Sequence, residues 1–159
     1  MALTFKDNLT SYALGRRANM EEWNSITRTK YGAGTLAFAV PVMPGTDPHT
    51  CVILDATNGR NVLGITEASQ VLPHTGDAYA QYDNVVICEV GVIGVLLDDD
   101  VVAGAQARFN TATGKWTDAA QSATVVTIPG AQFEVAGASA AIGLVRYRRP
   151  VPSLSVSGT

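Results

Sequence analysis

The sequence predicts an all-β protein: a small β-barrel or β-sandwich of about nine to eleven short strands, with an N-terminal arm. Short runs of Val, Ile and Leu recur along most of the chain, as expected for strands. Glycines, prolines and an Asn-Gly pair separate these runs at turn-like positions. Only 16% of the 159 residues are charged, against about 25% in typical soluble domains, while 47% are hydrophobic. We therefore expect one β-rich domain with a substantial core.

The stretch from Asn84 to Thr117 organises the predicted fold. Its apolar run, 85–97, is too continuous to alternate cleanly, so we expect strands that are buried on both faces. Gly91 or Gly94 is the expected bend, where a side chain would obstruct a bulge or a close backbone approach. The triplet Asp98–Asp100 forms a tight corner, and Gly114 supplies the positive φ of a hairpin loop before Trp116.

The first 31 residues differ from the rest and are assigned to an arm. They hold five of the 11 basic residues, namely Lys6, Arg16, Arg17, Arg28 and Lys30. Asn19 and Glu22 resemble a loose capping box, so Met20, Trp23 and Ile26 are expected on one face of a short helix. As an arm, this segment would pack on a neighbouring subunit or a partner surface through Phe5, Tyr12 and Trp23, with Arg16 and Arg17 nearby. The alternative is an N-terminal strand that closes the edge of the same barrel.

Residues 32–152 are assigned to the β domain and 153–159 to a flexible polar tail. Strands are expected at 35–40, 51–54, 62–65, 124–128, 133–135 and 141–147, with a turn at Pro129-Gly130. The polar stretch 66–84 is a long loop, and such loops are usually functional or mobile. Its Tyr79 and Tyr82 suit an interface because tyrosine combines a large rigid area with a polar end. The alternative is that both tyrosines cover the mouth of a barrel.

The final strand carries the one charged cluster of interest. Arg146 and Arg148 share a strand face, with Arg149 beside them. Two arginines on one face can make bidentate contacts with carboxylates of a partner. The alternative is a solvated edge strand whose charges block aggregation.

The sequence gives little support to catalysis, metal binding or cofactor binding. His49 and His74 lie in separate loops, and no further Cys/His pair stands at metal-ligand spacing. Three consecutive aspartates point in different directions, which favours a turn over a calcium site. No nucleophile elbow or phosphate-binding glycine loop occurs. We therefore expect no enzyme activity, no metal and no cofactor.

The charge and cysteine content of the chain limit the partners and the compartment that we expect. The net charge of −3 argues against nucleic acid, whose binding draws on clustered Lys and Arg. No apolar run approaches the ~20 residues that span a bilayer, so no membrane association is expected. Cys51 and Cys88 lie in apolar strand-like runs and are expected to be buried free thiols in a reducing cytoplasm, although a disulfide between adjacent strands is geometrically possible.

Four segments carry a resemblance to a known family. In order they read GVIGVLLDDDVVAGAQARF, TGKWT, IPGAQFEVA and AAIGLVRY, within the span from Gly32 to Tyr147. This order resembles the small bacteriophage capsid cement, or decoration, proteins. The resemblance implies a non-enzymatic all-β protein on the exterior of an assembled head, made in the host cytoplasm and often trimeric.

Two functions follow as hypotheses. The first is a cement protein that binds the outer surface of the expanded capsid, bridges major capsid protein subunits and forms a homotrimer. Its candidate capsid or subunit interface residues are Phe5, Tyr12, Arg16, Arg17, Trp23, Tyr79, Tyr82, Arg146 and Arg148. The alternative is a virion- or cell-surface carbohydrate-binding β module, with Tyr79, Tyr82 and Trp116 as its stacking residues.

Overall fold

The computed structural model describes residues 12–18, 22–56, 61–69 and 76–150. Phe5, the Asn58-Gly59 turn and the proposed tail 153–159 lie outside the described residues. The described part is all-β, as predicted, and its strands number eleven. They are β1 Asn24–Lys30, β2 Leu36–Ala37, β3 Pro41–Pro44, β4 Thr50–Ile53, β5 Gly64–Thr66, β6 Ala78–Tyr79, β7 Asn84–Leu96, β8 Gln106–Asn110, β9 Lys115–Thr117, β10 Val125–Phe133 and β11 Ile142–Arg148.

Nine strands form one sheet in the order β1-β4-β3-β5-β7-β11-β10-β8-β9. Because β1 also pairs with β7, the strands β1, β4, β3, β5 and β7 close into a ring. A second ring runs from β7 through β11, β10, β8 and β9. It closes where Leu97 and Trp116 form a parallel bridge and Asp98 N–H donates to the Trp116 carbonyl at 2.7 Å. The architecture is therefore barrel-like, which resolves the choice between barrel and sandwich. A separate two-stranded sheet pairs β2 with β6.

The long strand β7 belongs to both rings. Its first half pairs with β1 and β5, and its second half pairs with β11. Most of its side chains are buried, on both faces, within one hydrophobic core that spans the two rings. In the pairing with β1, Val90 lies opposite Asn24 and Cys88 lies opposite the next residue, Ser25. Glu89 of β7 therefore has no partner on β1 and forms a bulge.

The two glycines of β7 allow the close approaches that the sequence predicted. A Cβ at Gly91 would collide with the Trp23 ring, and one at Gly94 would collide with the Ala13 carbonyl oxygen. Gly91 also has φ of 149°, in the region that favours glycine. Each glycine thus admits a part of the N-terminal segment onto the strand.

The Pro129-Gly130 turn was predicted wrongly. Strand β10 continues through this pair, with Gly130 at φ 79°. Thr127 pairs with Arg108 and Gln132 pairs with Gln106. Five residues of β10 therefore advance along only two residues of β8, which shifts the register. Gln106 stabilises the resulting bulge, since its side-chain amide donates to the carbonyls of Ile128 at 2.9 Å and Ala131 at 2.7 Å.

The N-terminal boundary also differs from the expectation. Residues Asn24–Lys30 were assigned to the arm, and Ile26 to one face of a short helix, yet they form β1, paired with β7 and β4. The physical reason is ring closure, because β1 covers a backbone edge of β7 that would otherwise lack partners. This matches the alternative of a strand that closes the barrel. Asn19 and Met20 of the expected helix lie outside the described residues.

Candidate interaction surface

The residues 12–18 lie against the body of the protein. Gly15 N–H donates to the Gly94 carbonyl at 2.8 Å, Gly94 N–H donates to the Arg16 carbonyl at 3.0 Å, and Ala18 N–H donates to Val92 at 3.0 Å. These bonds extend the pairing of β7 beyond the end of β1. Tyr12 is half-buried and Arg16 is exposed. The described residues 12–18 therefore belong to the body of the protein and not to a detached arm.

Arg17 and Trp23 are engaged within the chain. The Arg17 guanidinium stacks 4.0 Å from the centre of the Trp23 ring, and that ring lies on Gly91. The Trp23 indole donates to Ser25 Oγ at 2.7 Å, and the Ser25 hydroxyl in turn donates to Glu67 Oε1. Both side chains therefore fasten the segment before β1, and only their outer faces are left for a partner.

The carboxyl group of Glu67 lies at the end of this chain of contacts. Burial raises its pKa, while the Ser25 hydroxyl, the Arg17 charge and the Trp23 indole act in the opposite direction. Glu67 also offers its backbone carbonyl to the Tyr79 hydroxyl at 2.6 Å. The cluster thus couples the N-terminal segment to the core.

Tyr79 is a core residue, which corrects its prediction as an interface residue. Its side chain is fully buried and packs edge-to-face on Phe38, with ring centres 5.1 Å apart. Burial raises the pKa of its hydroxyl, which donates to Glu67. Tyr79 lies in β6, where it pairs with Leu36 of β2, and its full burial leaves no side-chain surface for a partner.

Tyr82 is the most exposed large hydrophobic side chain of the described residues, at 69%. Its φ is 68°, a conformation that bulky residues rarely adopt. The turn that imposes this φ is fixed on both sides: Tyr82 N–H donates to the Lys30 carbonyl at 3.0 Å, and Ala80 N–H donates to Asp83 Oδ2 at 2.7 Å. Its role at an interface stays a prediction.

The arginine cluster is paired within the chain. Arg146 contacts Glu134, Arg148 contacts Glu22 and Arg149 contacts Glu89. Strand β11 lies between β7 and β10, so the edge-strand interpretation is wrong. The side chains of Arg146 and Arg148 are 47% and 68% exposed, and such ion pairs contribute little to stability. The face is therefore a solvated row of paired charges.

Lys30 was missed by the sequence analysis. Only 4% of the residue is exposed, and its ammonium donates to three successive carbonyls, those of Gly32, Ala33 at 2.9 Å and Gly34 at 2.8 Å. The signal in the sequence was a lysine at a strand end followed by two closely spaced glycines. The loop 31–35 is folded around this charge.

The aspartate corner behaves as a turn. Asp98 accepts a hydrogen bond from Asn110, Asp99 accepts one from Thr117, and Asp100 accepts one from the Ser139 N–H. The three carboxylates diverge, as predicted. Among the residues that the structure describes, no group of three His, Cys, Asp or Glu side chains is placed to hold a metal.

Cys51 and Cys88 are buried free thiols, as predicted. Burial raises the pKa of Cys51 to about 11 and that of Cys88 to about 12. The thiolate, which is the reactive form, is therefore scarce at neutral pH.

The carbohydrate-binding hypothesis loses two of its three stacking residues. Trp116 is 1% exposed and Tyr79 is fully buried, so only Tyr82 of the three is available to a ligand. In the part of the chain with described coordinates, no helix has the length and hydropathy needed to cross a bilayer.

The described residues thus form a double-ringed all-β fold. Comparison with known proteins identifies its family. A family model described as "Structural cement protein (E217 gp24/Pam3 gp6)" matches residues 2–149, so the chain belongs to this family of phage cement proteins. The family is structural, which agrees with the resemblance found in the sequence.

A solved structure shares the fold. It is a chain from "The capsid of Myoviridae Phage XM1", with a TM-score of 0.70 and 16% identity; the match covers 95% of this chain and 100% of that one. No curated protein matches. At 16% identity the structural match shows a shared fold, and the family model identifies the chain as a structural cement protein of bacteriophages.

Proposed function

We propose that the protein binds the outer surface of the expanded capsid and stabilises the shell by bridging neighbouring major capsid protein subunits. Its membership of the cement family is the single observation that carries the proposal. Many modest apolar and hydrogen-bonded contacts on a rigid barrel would oppose separation of the subunits under the pressure of packaged DNA. We further propose that it acts as a homotrimer, since cyclic symmetry repeats each contact at threefold positions of a head lattice.

The proposed contact residues are a reduced set. Tyr82 and Arg16 are exposed. Arg17 follows Arg16 and stacks on Trp23, so this pair offers its outer faces. Arg146 and Arg148 remain candidates only if carboxylates of the partner replace Glu134 and Glu22, which pair with these arginines within the chain. Four other large apolar side chains are exposed and support docking: Tyr31, Ile53, Val102 and Val135.

Cosedimentation with expanded heads that lack the protein tests the proposal. We expect saturable binding and a higher rupture temperature of the occupied heads. A variant without residues 1–11 tests the arm, since it retains every described strand and should bind with fewer copies or lower affinity. Failure of the full-length protein to bind cognate heads would reject the function. Undiminished occupancy by the truncated protein would reject only the arm.

A further inference from the structure

A groove of about 460 Å³ opens beside the first turn of the described chain. This turn spans residues 13–16, and the Arg16 N–H donates to the Ala13 carbonyl at 3.1 Å. Gly15 has φ of 68° and accepts a hydrogen bond from the Ala68 N–H at 2.8 Å. A Cβ at Gly15 would lie only 2.9 Å from that nitrogen. The turn is therefore fixed against the segment that follows β5, so this wall of the groove is preformed.

The groove combines an apolar lining with one charge of each sign. Leu14, Phe38 and Ile142 supply the apolar surface, and the exposed Arg16 and Asp77 supply the charges. Within the described residues, neither charged side chain forms a hydrogen bond or an ion pair. The three arginines at the end of β11, in contrast, are all paired with glutamates. An apolar groove with two unpaired opposite charges fits an apolar segment that carries both signs of charge.

The N-terminal residues 2–11, which read ALTFKDNLTS, have this composition. They contain three large apolar residues and two adjacent opposite charges, namely Leu3, Phe5, Leu9, Lys6 and Asp7. Of the segments that lie outside the described residues, only the N-terminal one contains both an acidic and a basic residue. Residues 70–75, which follow the groove residue Ser69, read QVLPHT and contain no Asp, Glu, Lys or Arg. Charge complementarity therefore selects the N-terminal segment.

The direction of the chain favours a neighbouring copy as the source of this segment. Ala13, Leu14 and Arg16 all line the groove, so the groove lies at the tip of their turn. A β-turn reverses the chain, and the residues on either side of it lead away from its tip. Arg17, the first residue after the turn, pairs antiparallel with Ile93 of β7. The segment before Tyr12 would need a second reversal to enter the groove of its own chain.

We propose that residues 2–11 of one copy bind in this groove of the next copy, with Lys6 beside Asp77 and Asp7 beside Arg16. The inference rests on the homotrimer of the proposed function. Ten extended residues span up to about 33 to 36 Å, which is long enough to reach an adjacent subunit. In a cyclic trimer each copy donates one segment and receives one, so three identical contacts close the ring.

Charge exchange tests the predicted ion pair by sedimentation of the purified protein, for which we expect a wild-type trimer. Arg16→Glu should raise the dissociation constant of self-association about tenfold, and adding Asp7→Arg in the same chain should restore it. Arg28→Glu, on β1 outside the groove, is the matched control for net charge and should assemble like the wild type. Thermal unfolding of the subunit should be unchanged by Arg16→Glu, because Arg16 is exposed and unpaired.

Two single-cysteine variants, mixed after dilution to monomers and then concentrated, identify the source of the segment. Lys6→Cys on one chain and Asp77→Cys on the other should form an interchain disulfide under mild oxidation. Lys6→Cys mixed with Ala112→Cys, at an exposed position of the β8–β9 hairpin, is the control and should not. The native Cys51 and Cys88 are buried and should not compete.

The outcomes separate the groove proposal from the proposed function. A monomeric wild type, or a trimer that Arg16→Glu leaves intact, would overturn the groove proposal. A disulfide that forms only when both cysteines lie on one chain would place the segment in its own groove and would also reject it. Binding of the wild type to expanded heads is measured in parallel, and it supports the shell function whatever the result at the groove. Failure to bind heads by a trimer with the expected disulfide would reject the shell function alone.

Discussion

The indole N–H of Trp116 donates a 2.7 Å hydrogen bond to the carbonyl oxygen of Ala39, across 77 residues of sequence. Trp116 belongs to the second ring of strands, and Ala39 precedes β3 of the first. Both residues are buried, and Ala39 is held at φ 60°. This bond, together with the shared strand β7, makes the two rings a single core.

Trp116→Phe should therefore lower the free energy of unfolding by about 2 to 4 kcal/mol, since it leaves the buried Ala39 carbonyl unpaired and removes part of a packed ring. Denaturant unfolding followed by circular dichroism measures the loss. Trp23→Phe is the matched control: its indole bonds to the half-buried Ser25, so about 1 kcal/mol is expected. Equal losses for the two tryptophans would contradict the role assigned to Trp116.

Gly91→Ala should cost about 3 kcal/mol or more, because its Cβ would collide with the Trp23 ring and its φ is unfavourable. Gly114→Ala is the control for φ alone. It has φ of 71° and open space around it, so about 1 kcal/mol is expected. Combining Gly91→Ala with Trp23→Ala should cost less than the sum of the single losses. Strict additivity would mean that the collision does not determine the effect.

Tyr82 separates binding from stability. Tyr82→Gly relieves the positive φ, whereas Tyr82→Ala keeps it, so the glycine variant should be about 1 kcal/mol more stable than the alanine variant. Both remove the exposed ring and should weaken head binding alike. Thermal melts and cosedimentation give the two quantities. A stabilised glycine variant with full head affinity would remove Tyr82 from the interface.

Glu67 gives a pH dependence whose sign is fixed by its raised pKa. Just above pH 4.5 the Glu67 carboxyl group is ionised in the unfolded chain but still protonated in the folded protein. The free energy of unfolding therefore falls as the pH rises from 4.5 through the folded-state pKa. Glu67→Gln stays neutral and its side-chain oxygen can still accept from Ser25. Its stability relative to the wild type should therefore increase with pH from below 4.5 and then level off. A difference that stays constant or decreases would contradict the buried environment of this carboxyl group.

Local pattern was sufficient for most elements of the fold. The β-branched run of β7, the hairpin at Gly114, the divergent aspartates and the buried cysteines were all predicted, because each depends on residues close in sequence. The order of four segments also identified the family. The prediction failed where two local signals competed. The capping pattern predicted a helix that included Ile26, but Ile26 lies in strand β1. The Pro129-Gly130 pair predicted a turn, but it lies in a bulge of β10.

Only the tertiary structure decided which side chains are exposed. Tyr79 and Tyr82 look alike in sequence, yet Tyr79 is buried against Phe38 while Tyr82 is exposed on a turn with positive φ. Burial of Lys30 likewise required the loop after β1 to fold back over its ammonium. The sequence determined where strands form, since β propensity is local. Strand order and ring closure join residues far apart in the chain, and these long-range contacts determined exposure, charge pairing and the candidate surface.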